Sequence, residues 1–252
     1  MRTLSLIGIG AGNPKWLTLE AVEAIQSLDV LFVVLKEGDL DDLVEVRRRV
    51  VAAHRVDPVR IVELRDPPRP WQTTPDYPKA VATWRAQRLA LWGEAVSRNL
   101  GAGEHGGFLV WGDPSLYEST LAIVKKLIAA SQTPISLRVL PGISSVLALA
   151  AAFQIPLNRQ GKAVSISPAR LIQDGFPAQA DDVVVMLDGH QTFAKIDPAG
   201  LDIYWAAYLG TENQILISGD LAAVRDEICR VRAEAAKRHG WVFDTYLLRR
   251  RY

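Results

Sequence analysis

Cysteine is almost missing from this chain of 252 residues: Cys229 stands alone. One thiol makes neither an internal disulfide nor a cysteine-built zinc site. That excludes a disulfide scaffold, leaves no metal site to expect, and points to a reducing, cytoplasmic setting. Net charge is nearly missing too. Lys and Arg total 29 against 28 Asp and Glu, a formal charge of +1. Such a balance argues against nucleic-acid binding through bulk charge and leaves room only for a local basic patch. Long hydrophobic runs are lacking. The longest uncharged stretch, 139–158, could span a bilayer by length, but Pro141, Gly142, Ser144, Ser145, Gln154 and Pro156 interrupt it. A buried helix is expected there, and no membrane partner. The opening residues carry no small-residue cleavage site, so they read as a first strand rather than a signal peptide. Internal repeats and low-complexity segments are absent as well.

What is present suits a globular chain. Hydrophobic residues make up 49% and charged residues 23%, enough for a sizeable core at this length. Short apolar runs alternate with longer amphipathic segments, which predicts an α/β fold. Strands are expected at 4–9, 30–35, 61–64, 108–111, 136–139, 164–166, 183–187, 203–208 and 214–218. Helices are expected at 18–27, 77–100, 116–130, 144–153 and 221–239. The last helix has the clearest signals: Asp220 as cap, an apolar stripe through Leu221, Val224, Ile228, Val231 and Ala235, and Gly240 as stop. The stripe reads as core, a dimer contact being the other possibility. Pro67, Pro68 and Pro70 make a loop of 65–71, because proline removes donors and disfavours helix before it. A glycine-rich break at 101–107 places a domain boundary near residue 115, giving an N-terminal α/β domain over 1–115 and a C-terminal one over 116–252.

Three turns between a strand and a helix stand out. The first is Gly8-Ile9-Gly10-Ala11-Gly12-Asn13-Pro14. Glycines after a strand let backbone approach a ligand. A dinucleotide site is the tempting reading, but the spacing is G-x-G-x-G, and Asp29 precedes the next strand instead of ending it. The second is Trp111-Gly112-Asp113-Pro114-Ser115-Leu116-Tyr117. Asp113 there could take an ammonium group or cap the helix that follows. The third is Pro141-Gly142-Ile143-Ser144-Ser145, whose serines could cap a helix or bind a carboxylate at its N-terminus.

Together with Val183-Val184-Val185-Met186-Leu187, these turns resemble the tetrapyrrole methylase family, the S-adenosylmethionine-dependent methyltransferases of corrinoid and sirohaem synthesis. The resemblance runs in the family's order along essentially the whole chain. It implies two α/β domains with a ligand cleft between them, a fold distinct from the Rossmann type, and a homodimer. It also implies S-adenosyl-L-methionine as methyl donor, S-adenosyl-L-homocysteine as product, and a tetrapyrrole substrate. The family's cofactor contacts transfer to Pro14, Gly112, Asp113, Leu116, Ser144, Ser145 and Met186, with Trp111, Tyr117 and Leu187 as neighbours.

Segments 110–117, 155–159, 186–189, 202–205 and 244–250 are similar to the deacetylating branch of the family, which couples methyl transfer to loss of an acetyl group. Methyl transfer from a sulfonium needs alignment above all. Acetyl loss needs an activated water, for which a base helps. Asp188 and His190 are the catalytic candidates implied, with Asp113 and Tyr117 behind them. Arg159, Lys162 and Arg170 are expected to pair with the substrate's carboxylate arms. Arg47, Arg48 and Arg49 read as a solvated helix face.

Overall fold

A computed structural model describes residues 1–35, 41–68 and 76–251. The chain divides into two compact units, one of residues 1–10 and 14–143, the other of 11–13 and 144–252. The boundary therefore falls after Ile143, and the one expected near residue 115 is corrected. The reason is strand pairing: the last strand of the first unit lies beyond residue 115, yet it pairs with the first strand of the chain.

The first unit is a five-stranded parallel sheet of β1 (Arg2–Gly8), β2 (Val30–Leu35), β3 (Arg60–Arg65), β4 (His105–Val110) and β5 (Ile135–Leu140), in the order β3-β2-β4-β1-β5. Its helices are α1 (Leu19–Gln26), α2 (Asp41–His54), α3 (Tyr77–Asn99) and α4 (Thr120–Ala130). Both sheet faces are covered, so β1 is apolar on both. Leu4 and Leu6 enter one core with Phe32, Phe108 and Trp92, whereas Ile7 and Ile9 enter the other with Ile25, Leu31 and Val50. Adjacent strands β1 and β4 send their connections in opposite directions, β1 past β4 to β2, and β4 past β1 to β5. Such a switch point is where open α/β sheets place ligands, at the carboxyl ends of the strands. The glycine-rich turn and the Gly-Asp-Pro turn leave the sheet there.

The second unit holds α5 (Ser145–Ala152), β6 (Val164–Pro168), β7 (Asp182–Met186), β8 (Leu201–Ala207), β9 (Ile215–Asp220), α6 (Leu221–His239) and β10 (Asp244–Arg250). The sheet order is β6-β7-β10-β8-β9, parallel only between β6 and β7. The stretch 139–158 ends β5, turns, and forms the eight-residue α5. Among the described residues no helix is long and apolar enough to cross a membrane. The α6 stripe is core: Leu221, Ile228 and Ala235 are buried against Trp205, Ile203 and Tyr246.

Two elements were not expected from the sequence. β10 is central and buried on both faces at Tyr246, Leu247 and Leu248, but this apolar run is short and flanked by Asp244-Thr245 and Arg249-Arg250. α2 is rich in charge, and only its Arg47–Arg49 stretch reads as part of a helix in the sequence. One helix starts later than expected, since α4 begins at Thr120 and residues 116–119 form a turn. Of the expected 65–71 loop, Asp66 to Pro68 is irregular chain after β3, and 69–71 lie outside the described residues.

The chain after β3 is anchored by a buried ion pair. Arg88 Nε lies 2.8 Å from Asp66 Oδ2, and its guanidinium sits over the rings of Trp84 and Trp92 at 4.5 and 4.7 Å. Trp92 Nε1 donates to the other Asp66 oxygen at 3.0 Å. Replacing Asp66 with Asn leaves a cation buried without its counter-charge. We expect Asp66→Asn to cost roughly 3–5 kcal/mol of unfolding free energy, read by urea denaturation; a loss within about 0.5 kcal/mol, the range of an ordinary surface change, would refute this account.

Candidate functional site

The turns after β1, β4 and β5 are locked to one another through backbone. Gly10 and Gly112 form an antiparallel bridge, with Gly10 N donating to Gly112 O at 3.2 Å and Gly112 N to Gly10 O at 2.9 Å. Gly142 packs directly onto both turns. A Cβ there would overlap the Gly112 carbonyl oxygen and come within 2.8 Å of Gly8 C, and a Cβ on Gly8 would lie 2.5 Å from Gly142 N. Only glycine permits this approach. Gly112 also has φ of +69°, and nothing lies within 4 Å of where its side chain would point. One face of the turn is thus open.

This geometry removes the dinucleotide reading. The N–H groups of Gly10 and Gly112 that would meet a pyrophosphate are spent on each other. The following helix starts only at Leu19, and Thr18 caps it by accepting from Ala21 N at 3.1 Å. Its N-terminus is therefore already served.

Asp113 caps no helix. Its Oδ1 accepts from Ser115 N at 2.8 Å and from Ser115 Oγ, and its Oδ2 accepts from Gly142 N at 3.0 Å. Burial alone would raise its pKa, but these bonds from Ser115 and Gly142 outweigh it and hold the carboxyl below the usual range. The first turn of α4 is served instead by Glu118, whose carboxylate accepts from Thr120 N and Oγ1 at 2.9 and 2.7 Å. Half-buried Leu116 closes the turn, its N donating to Asp113 O at 3.2 Å. Tyr117 is 44% exposed in a left-handed conformation. Trp111 packs against the core on the Ile7 side of the sheet.

Helix α2 braces this region from below. His54 Nε2 donates to Pro14 O at 2.7 Å. Arg47 donates through Nε to Leu109 O at 3.0 Å, next to the end of β4. Desolvation lowers its pKa, and the Glu118 charge opposes that shift. Arg47 therefore departs from the solvated face expected of it, while Arg48 and Arg49 are exposed.

In the second unit, Ser144 occupies the N-cap position of α5 with extended backbone, buried, but its hydroxyl caps nothing. Ser145 begins the helix half-buried. An uncommitted hydroxyl at a helix N-terminus suits an anionic group. Met186 ends β7 half-buried, and Leu187 follows it exposed, with φ of +58°.

Asp188 has a task other than the expected one. It is 5% exposed. Its oxygens accept from His190 N and Thr192 Oγ1 at 3.0 Å, and from Thr192 N and Tyr246 OH at 2.7 Å. Four donors fill a carboxylate's acceptor positions, so none remains to take a proton from water. Burial first, and then the Asp188 charge, push the Tyr246 phenol far above its ordinary pKa. His190 is exposed. Arg159 also departs from expectation: it pairs with buried Asp182 at 3.2 Å and donates to Arg250 O at 2.9 Å. Lys162 pairs with Asp181 at 3.2 Å, whereas Arg170 is exposed. Tyr208, at the end of β8 with φ of +51°, is a further special position that no residue pattern signals.

Comparison with known proteins bears on the whole chain. The family profile described as Tetrapyrrole (Corrin/Porphyrin) Methylases matches residues 3–225. A Sinorhizobium protein named precorrin-6A synthase [deacetylating] is 42% identical over 252 residues, spanning 99% of this chain and 96% of that one. The crystal structure of the cobalamin synthesis related protein CobF from Corynebacterium diphtheriae is 31% identical, with a TM-score of 0.86 and 99% coverage of both chains. Uroporphyrin-III C-methyltransferase from Thermus thermophilus, solved with S-adenosylhomocysteine, shares the fold at 18% identity, with a TM-score of 0.60 over 98% of this chain and 91% of that one.

Asn at position 113 would turn an N–H toward either Ser115 or Gly142, leaving two donors face to face. We expect Asp113→Asn to lower unfolding free energy at pH 7 by roughly 1–3 kcal/mol. Because the folded carboxyl lies below its unfolded value of about 3.9, its contribution is full above that pH and is lost as pH falls through the folded value. The gap between parent and variant should therefore close in acid; a gap unchanged down to a pH of about 2, below the unfolded value, would contradict the hydrogen-bond account.

Proposed function

The chain belongs to the tetrapyrrole methylases, and from that premise we propose that it catalyses the precorrin-6A synthase (deacetylating) reaction of cobalamin biosynthesis. In this reading it methylates ring carbon C1 of precorrin-5 and releases the acetyl group as acetate, giving precorrin-6A. The observation that carries it is 42% identity along nearly the full length of both chains with a protein of that name.

When bound, S-adenosyl-L-methionine supplies an electrophilic methyl group that needs no enzyme nucleophile. The protein's part in that step is alignment. In our reading the methyl donor is held by Pro14, Gly112, Asp113, Leu116, Ser144, Ser145 and Met186, with Trp111, Tyr117 and Leu187 beside it. Gly112 admits it by lacking a side chain. Asp113 offers its charge and its remaining acceptor position to the ammonium group. The hydroxyls of Ser144 and Ser145 donate to the carboxylate. Of Arg159, Lys162 and Arg170, exposed Arg170 is the one we assign to meet a substrate carboxylate, since the other two are held in ion pairs. For acetate release, water adds to the acyl carbon, the carbon–carbon bond to the ring breaks, and the ring keeps the electron pair. His190 is the group we assign to take the water's proton, since Asp188 is fully engaged. A cytoplasmic homodimer completes the proposal, and light scattering of the purified protein tests its oligomeric part.

Precorrin-5 and a labelled methyl donor, followed by mass spectrometry, should yield a product gaining one methyl and losing one acetyl group. A methylated product that keeps its acetyl group would instead indicate another precorrin methyltransferase. For His190→Ala we expect acetate release to slow by about 10²-fold, the lower end of general base catalysis, with methyl transfer less affected. Equal slowing of both steps, or none, would remove His190 from that role.

A further inference from the structure

The turn after β7 combines strain with bracing. Leu187 is a branched residue at φ of +58°, where side chains other than glycine are disfavoured. Its side chain is 62% exposed, so its own packing does not hold it there. The residues around it do. Tyr246 and Thr192 fill the Asp188 carboxylate from β10 and from the turn at 192–194. Arg232, on α6, donates through Nη2 to the Asp188 main-chain oxygen at 3.1 Å, and its Nε is held by Asp244 Oδ2 at 2.8 Å. Upstream, Thr245 Oγ1 donates to Val185 O at 3.0 Å. The backbone is thus gripped on both sides of one strained, exposed leucine. Strain that is over-determined by its surroundings is a mark of a residue whose position matters.

We propose that Tyr246, Thr192 and Arg232 are positioning residues. Acting through Asp188, they hold Leu187 left-handed so that its exposed side chain makes an apolar contact to the bound methyl donor. This rests on the reading of function above.

The test is calorimetry of S-adenosyl-L-homocysteine with the full chain, together with thermal melting. Tyr246→Phe and Thr192→Val are each made in the parent and in a Leu187→Gly background. Leu187→Gly should melt no lower than the parent, because glycine is unstrained at this φ, yet bind roughly 5- to 10-fold more weakly through loss of buried apolar contact. Tyr246→Phe and Thr192→Val should each weaken binding about 3-fold or more in the parent, and less than about 2-fold once Leu187 is gone, because interacting sites are non-additive. Should Tyr246→Phe fail to fold, Thr192→Val carries the comparison alone. Equal losses in both backgrounds, or a lowered melting temperature with unchanged affinity in the parent, would overturn the inference. A parent protein that binds no S-adenosyl-L-homocysteine would overturn the reading of function, and this inference with it.

Discussion

The first unit depends on a contact that has no side chain in it. Gly8, Gly112 and Gly142 let three turns come within van der Waals distance of each other, and the Gly10–Gly112 bridge and the Asp113–Gly142 bond fasten them. A parallel sheet opens a crevice where strand connections diverge. Here the crevice is covered by the chain's own backbone, which spends the N–H groups that a nucleotide phosphate would use. The same turn keeps an open face at Gly112, the charge of Asp113 and an exposed Tyr117. A sheet order compatible with dinucleotide binding is therefore combined with a turn whose phosphate-facing N–H groups are already bonded.

The second unit is organised around a buried carboxylate. Asp188 gathers four donors from its own turn and from β10, and Arg232 ties the same residue to α6. Buried charge is tolerated only when it is paired and hydrogen-bonded. Asp182, which is fully buried, meets that condition with Arg249 and Arg159. Asp182 is the first residue of β7, and Asp188 lies two residues beyond its end. Several residues that look most like acids and bases in the sequence are thus those the fold uses for anchorage, whereas His190 and Arg170 are exposed.

The order of elements was legible because each carried a local signal. Strands 30–35 and 183–187 are unbroken apolar runs, and 221–239 has a cap, a stripe and a stop. β10 escaped because its apolar run is only Tyr246-Leu247-Leu248, set between Asp244-Thr245 and Arg249-Arg250, and because the partner of Arg249 lies far away in sequence at Asp182. The motif turns were legible as motifs, since glycine, proline and aspartate in fixed order have few other uses. Their neighbours were not: nothing near Leu187, Tyr117 or Tyr208 announces a left-handed backbone.

By itself, the sequence determined the fold class, the family, and the four motif segments. These rest on residue types that act locally: glycine where side chains cannot fit, and apolar residues at strand and helix periods. The tertiary structure alone decided which polar groups are committed. Whether Asp113 caps a helix or locks a turn, whether Asp188 is a base or an anchor, and whether Arg159 is free or paired depend on partners from 23 to 58 residues away: the donors Gly142 for Asp113 and Tyr246 for Asp188, and the acceptor Asp182 for Arg159. Hydrogen-bond capacity is finite, and only the folded chain shows where it has been used.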